Sequence, residues 1–403
     1  MILNGQSFSF SSLSNISVFS AACAVQLLIP TSFGFLRNRF YEVFIVLHYF
    51  LAAGAAVGIA WHLRPVLDFS NPGYLEVYCV SFGAVFLILC AYRAGCLIFR
   101  NLKGGKLATV SVSVGASDRD LAAIKVTINL PRPLRVSAGQ YVNVTIPSLD
   151  APSSIQSHPF VVTSWSKDRQ KSLDLFVERR RGFTRKLHQA DSRDGRHAIV
   201  SGPFGRRVSL QGFDFVLLLA SGYGIAAQAA YLRELVSRNR QKAHLVWLIS
   251  KRDIVNPAGQ WLLNPVLDQD TKKASSIPAP LQTLLTRLQM VLISIFDSVG
   301  SLEGTPSAAD STVAKTFGGR AKLYKGKPDL KAIIRKGMQD CICEERGRNS
   351  RLLLLEARLH VKRALRSYLQ ELKAGSDSRT SYSYAGHSRS IDVSIEELDF
   401  QPE

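Results

Sequence analysis

The sequence predicts a membrane α-helical segment of about three helices, followed by an antiparallel β-barrel and an α/β domain. Apolar runs long enough to cross a bilayer fall within the first hundred residues, and after Lys103 apolar and polar residues alternate. Near Phe213 short Val- and Ile-rich runs give way to a strand–turn–helix–strand pattern.

The expected spans are roughly Leu13 to Phe35, Tyr41 to His62 and Tyr74 to Phe99, each near the ~20 residues that a ~30 Å hydrocarbon core requires. Arg37 and Arg39 follow the first span, and Arg100, Lys103 and Lys106 follow the third, whereas the second connection carries Arg64 offset by Asp68. The positive-inside rule then puts the C-terminal region in the cytosol and the N-terminus on the far side, a multi-pass arrangement. Met1 to Ser14 is polar and lacks a basic start, so no cleaved signal peptide is expected.

His48 and His62 share the second span, about 21 Å apart along the helix and about 40° short of whole turns. Such a pair gives one axial ligand to each of two stacked hemes; alternatively His62 marks the interface and His48 bonds a neighbouring helix.

The soluble region opens with runs at Lys125 to Leu130, Tyr141 to Ile146, Phe160 to Ser164 and Leu173 to Glu178, the signature of an antiparallel barrel. A β-α-β unit follows: strand Phe215 to Ala220, the turn Ser221-Gly222-Tyr223-Gly224, a helix to Leu235 and strand Leu245 to Ser250. A glycine turn at a helix start lets backbone N–H groups approach a pyrophosphate, and it also serves as a plain tight turn. Arg181-Gly182-Phe183-Thr184 and Ser201-Gly202-Pro203-Phe204-Gly205 carry the same two readings. A flexible insertion is expected near 297–319, a strand at Arg351 to Leu355, a basic helix over roughly Leu352 to Lys373, and a polar tail over 374–403.

The net charge of +19 is spread without a zinc-finger, homeodomain or RNA-binding signature, which points to anionic lipid and phosphorylated cofactors and away from nucleic acid. Cys23, Cys79, Cys90, Cys96, Cys341 and Cys343 have neither disulfide-framework nor zinc spacing.

In order, these features resemble the ferric reductase and NADPH oxidase family of fungal type, N-terminally shortened, with domains of the ferredoxin reductase kind. The most specific piece is Ala138-Gly139-Gln140-Tyr141 followed by His158-Pro159-Phe160. The resemblance implies a membrane region at 1–103, an FAD barrel at 104–210 and an NAD(P) domain at 211–373. It implies an FAD site with His158 at the diphosphate, Pro159, Phe160 and Val161 along the ring, and Gly182 with Thr184 at the pyrophosphate. Gly202 and Gly205 join that cofactor set. Gly222, Gly224, Ile225 and Lys327 would hold NADPH, and His48 and His62 would be heme ligands.

Four departures qualify the resemblance. Residues 1–36 contain no His to oppose His48 and His62, so a second membrane chain or an upstream segment would have to supply one. Val161 stands where the family usually has Ser or Thr, with Thr163 or Ser164 as substitutes. No Cys-Gly-Pro follows the strand at Arg351 to Leu355, and the chain ends in Gln401-Pro402-Glu403 without an aromatic residue. The expectation is a membrane oxidoreductase passing electrons from NADPH through FAD to a ferric or cupric chelate or another acceptor. The alternatives are a regulatory paralogue with little turnover and a heme-free, membrane-tethered flavin reductase in a biosynthetic pathway.

Overall fold

The computed structural model describes residues 13–35, 41–64, 73–113, 123–149, 156–180, 182–189, 195–238, 242–275, 291–297, 321–326, 328–329, 332–336, 350–357, 381–384 and 387–397. The chain divides into two compact units, Met1–Cys96 with Glu403, and Leu97–Pro402.

The first unit holds α1 (Leu13–Thr31), α2 (Tyr41–Leu63) and most of α3 (Tyr74–Asn101). Two helical stretches, Val43–Leu63 and Glu76–Asn101, are long and apolar enough to cross a membrane. The expected first span, Leu13 to Phe35, ends early: its helix stops at Thr31, and the 19 residues of α1 reach ~28 Å at 1.5 Å per residue. α1 and α2 pack through small residues. Ala21, Ala24 and Ala55 are buried, and a Cβ on Gly58 would meet the Ser17 carbonyl at 2.8 Å and the Ala21 Cβ at 2.9 Å. Bare backbone at that crossing lets the helices approach, as between helices in lipid. At the start of α3, Glu76 accepts from the Gly73 N–H at 2.9 Å, satisfying a donor that the helix leaves open.

The second unit begins with the end of α3 and the hairpin β1 (Leu102–Lys103) and β2 (Lys106–Leu107). Then come β3 (Thr109–Ser113), β4 (Ala123–Leu134), β5 (Tyr141–Thr145), β6 (His158–Val161), β7 (Gln170–Glu178), α4 (Phe183–Gln189), β8 (Arg196–His197) and β9 (Ile199–Phe204). They form two antiparallel sheets, ordered β7-β4-β3-β8 and β6-β5-β9. A bridge between Val162 and Leu175 joins one edge, and the run of β8 into β9 joins the other. One core fills them, built from inward residues at alternate positions such as Ile124, Val126, Ile128, Val142, Val144, Leu173 and Leu175.

β10 (Phe215–Ser221), a 3-10 turn at Gly222–Gly224, α5 (Ile225–Arg238) and β11 (Lys242–Ile249) realise the predicted β-α-β unit. Short helices over Val255–Ser275, β12 (Val291–Asp297), β13 (Ala321–Lys325), β14 (Ser350–Ala357), β15 (Ser381–Tyr384) and β16 (His387–Glu397) complete a seven-stranded sheet. Its order is β13-β12-β11-β10-β14-β16-β15, parallel except for β15. The order reverses at β10, which leaves a crevice beyond the carboxyl ends of β10 and β14, where such sheets bind ligands.

Two expectations change here. Leu352 to Ala357, assigned to the start of a basic helix, continues β14, because Leu352–Leu355 is a run buried on both faces of a parallel sheet. The rest of that helix lies outside the described residues. Residues 381–384 and 387–397, expected within the polar tail, form β15 and β16, and the alternation of Ile391, Val393 and Ile395 with polar neighbours is the strand period that composition concealed.

Candidate functional site

The turn before β5 organises the flavin side. Gly139 has φ +81°, and a Cβ there would meet the Tyr231 hydroxyl at 2.3 Å, so both the turn and its contact with α5 require glycine. Gln140 ties three chain-distant segments together. Its Oε1 accepts from the Ser137 N–H at 2.8 Å, its carbonyl accepts from the Val162 N–H at 3.1 Å, and its Nε2 donates to the Gly205 carbonyl at 3.4 Å. The Gly-Gln-Tyr turn, the end of the His-Pro-Phe-Val strand and the Gly-Pro-Phe-Gly turn are therefore one structure. Gly202 and Gly205 adopt φ +120° and +90°, and a Cβ on Gly205 would press on the Tyr141 ring at 3.2 Å.

β6 carries His158, Pro159, Phe160 and Val161. His158 is buried and stacks on Phe183 with ring centroids 4.0 Å apart, and Phe160 lies 6.1 Å from the same ring. Gly182 (φ +74°) leads into α4, and the buried Thr184 hydroxyl accepts from the Arg180 N–H at 2.9 Å. Phe183 thus unites the two predicted motifs. The sequence signal for Phe183 is its position between Gly182 and Thr184.

Both substitutes for a hydroxyl at Val161 are engaged elsewhere. The Thr163 Oγ1 donates to the Asp174 carbonyl at 2.9 Å, and the Ser164 Oγ accepts from the Asp174 N–H at 3.1 Å. Val161 instead packs, with Trp165, against the core of the nucleotide-binding sheet.

On that sheet, Trp247 donates from Nε1 to the Gly222 carbonyl at 2.9 Å, fixing the turn in which Gly222 has φ +53°. Gly224 and Ile225 are buried where α5 begins. The fully buried Gln228 donates from Nε2 to the carbonyls of Leu219, 3.0 Å, and Leu355, 3.2 Å, bridging β10 and β14 at the crevice. Tyr223 points toward the flavin side and stacks on Phe176 at 5.6 Å, with Trp261 6.2 Å from Phe176. Burial, then the Glu178 and Asp253 charges, raise the Tyr223 phenol well above its usual range against an opposing effect of Arg180.

At the carboxyl ends of β11 and β12, Arg252 donates from Nε to the buried Asp297 at 2.5 Å, and the Gly326 N–H donates to the Asp297 carbonyl at 2.8 Å. Ser250 and Lys251 precede Arg252 on the same edge. Lys327 lies outside the described residues.

The residues fit an FAD. They combine positive-φ glycines, which leave backbone room for a diphosphate, with an imidazole and aromatic faces gathered on one sheet edge. Heme fits less well. His48 and His62 are the histidines of residues 1–96, so that unit supplies at most one imidazole per heme. The buried His48 Nδ1 also has no hydrogen-bond partner to orient the ring as ligating imidazoles require. Among the described residues no group of three or more His, Cys, Asp or Glu is arranged to hold a metal.

Residues 106–213 match the FAD-binding domain family. Ferric/cupric reductase transmembrane component 7 of Saccharomyces cerevisiae is 25% identical over 237 residues, 58% of this chain and 36% of its own length. Ferric reduction oxidase 3, mitochondrial, of Arabidopsis thaliana is 25% identical over 322 residues, 77% of this chain and 41% of its own. Ferric reductase transmembrane component 1 of Schizosaccharomyces pombe is 32% identical over 168 residues, 40% of this chain and 25% of its own. The chain spans well under half the length of these relatives.

Proposed function

We propose that this relative of the ferric reductases is a membrane-anchored, FAD-dependent NADPH oxidoreductase whose flavin and nucleotide domains face the cytosol. The observation that carries this reading is the stacking of Tyr223, from the nucleotide turn, on Phe176 of the flavin strands, with Val161 in the same seam. The two sites thereby abut, as hydride transfer requires.

In this reading His158, Gly182 and Thr184 hold the FAD diphosphate, Phe160 and Val161 line the ring, and Gly202 and Gly205 leave room beside Tyr141. Gly222, Gly224 and Ile225 receive the pyrophosphate of the nucleotide on the N-terminus of α5. Ser250 and Lys251 lie at the end of the second strand, where an acidic residue would favour a bare ribose and a cation favours a 2′-phosphate, so the donor is NADPH. Bound FAD would accept a hydride and release electrons singly. A ferric or cupric chelate is the acceptor, by likeness to the named relatives.

One observation favours a second reading, a paralogue with slow turnover. The hydroxyls nearest in sequence to Val161, Thr163 and Ser164, are both bonded to the Asp174 backbone, away from the position where Val161 lacks one.

Absorption spectra of the detergent-purified full chain, before and after NADPH, test these readings. Flavin bands that bleach with NADPH are expected. A chain purified without flavin, and unable to take it up, would overturn the oxidoreductase reading; flavin that bleaches only over many minutes would select the slow paralogue.

A further inference from the structure

Where α3 ends, the chain passes without a linker into the hairpin β1–β2, which turns at Gly104 and Gly105 with φ +57° and +74°. The register pairs Leu102 with Leu107 and Lys103 with Lys106. Side chains alternate across a strand, so one face carries two leucines, 39% and 44% exposed, and the other carries two lysines. Like charges directly opposite one another repel, and a two-stranded hairpin of this length is marginal in water. Among the described residues neither lysine has an ion pair or hydrogen bond to a side chain of the chain itself.

Two more cations join them. Arg100 occupies the last turn of α3, and the Arg132 guanidinium lies 4.0 Å over the Phe99 ring, neither with an acidic partner among the described residues. The hairpin is also held at the end of the helix. Buried Asn101 donates from Nδ2 to the Val200 carbonyl at 2.9 Å and accepts from the Val200 N–H at 2.8 Å, while the Ala108 N–H donates to the Asn101 carbonyl at 3.1 Å. This one side chain joins the last helical residue to β9 as a strand neighbour would.

We propose that the Leu102–Leu107 hairpin, with Arg100 and Arg132, is a docking surface for anionic phospholipid headgroups. This rests on the reading of α3 as a membrane span. Glu76–Asn101 crosses ~39 Å at 1.5 Å per residue, more than a ~30 Å hydrocarbon core, so its last turn and the hairpin after it lie at headgroup depth. There the leucine face meets the acyl boundary, the lysine face meets the phosphates, and the repulsion between Lys103 and Lys106 is relieved by lipid anions. Through Asn101 the bound headgroups fix the flavin strands against the surface.

The test uses the full chain in nanodiscs of phosphatidylcholine, with and without phosphatidylserine, read by hydrogen exchange of the 102–107 amides. Phosphatidylserine should slow exchange about tenfold, since each surface cation contributes to anionic-lipid attraction. The K103Q/K106Q variant and high salt should each abolish the difference. Exchange indifferent to lipid charge in the wild type, or slowing that survives K103Q/K106Q, overturns the inference alone. Release of the chain from membranes by alkaline extraction overturns the membrane reading and this inference with it.

Discussion

The flavin strands and the nucleotide sheet meet along two seams built from different forces. At one, α5 is bonded to the flavin side: the Val208 N–H donates to the Tyr231 hydroxyl at 3.3 Å, and Arg207 reaches the buried Glu234 at 3.2 Å. At the other, stacked rings of Phe176 and Tyr223 meet Val161, Trp165 and Trp261. Directional bonds fix register, whereas apolar faces tolerate separation and refilling by a flat ring. The polar seam is thus a fixed edge and the aromatic seam is the mouth, the side on which proposed flavin and nicotinamide would meet.

The fixed edge breaks most severely at Gly139. Gly139→Ala adds left-handed backbone strain to a Cβ placed 2.3 Å from the Tyr231 hydroxyl, with a summed cost of about 3 kcal/mol. The apparent Tm of the purified chain should fall by roughly 5 °C. In a Tyr231→Ala background the same substitution should cost at least about 1 kcal/mol less, because the clash is gone and only the strain remains. Equal costs in the two backgrounds would remove Tyr231 from the explanation.

Glu234→Gln ranks next. Its carboxylate is fully buried and accepts from Arg207 at 3.2 Å and from Arg238 at 2.6 Å, so neutralising it leaves two guanidinium groups without their anion. Both arginines keep solvent contact, which limits the loss to about 2 kcal/mol in denaturant titration. Arg207→Ala, from the more exposed partner, should cost under about 1 kcal/mol.

The sequence made the mouth legible and hid the fixed edge. The glycine turn at Gly222 and the His158-Pro159-Phe160 strand are local patterns, and their backbone angles and strand period are written in adjacent residues. Glu234, Tyr231 and Gln140 act across long sequence separations, where no local period reports a partner. β14 is ambiguous in sequence because Leu352–Leu355 carries no alternation, and an apolar run with a basic continuation suits either a buried strand or a helix. The first helix was overextended for a related reason: hydropathy counts residues without recording where the helix ends, and Pro30 falls in its last turn.

At the mouth, Val161→Ser returns a hydroxyl to the position that Thr163 and Ser164 cannot serve. If the slow-paralogue reading holds, bleaching of bound flavin by NADPH in a stopped-flow single turnover should accelerate about tenfold, less than a positioned general acid or base contributes. An unchanged rate would put the limiting step elsewhere in the seam.

Tyr223→Phe carries the smallest expected change in stability and separates packing from polarity. The Tyr223 hydroxyl is buried without a hydrogen-bond partner, so its removal should leave stability at neutral pH unchanged or raise it by up to about 1 kcal/mol. The pH dependence is the sharper readout. Burial, followed by the Glu178 and Asp253 charges, raises the folded-state phenol above the unfolded value of about 10, so the folded chain resists ionisation that the unfolded chain accepts. Its contribution is fully present below that value and is lost as pH rises above it. In urea titrations from neutrality to strongly alkaline pH, wild type and Tyr223→Phe should run parallel until about pH 10. The wild type should then lose stability faster, because the variant has no phenol to ionise. Parallel curves throughout would mean that the phenol reaches water in the folded chain, and the aromatic seam would then stand open before any nucleotide arrives.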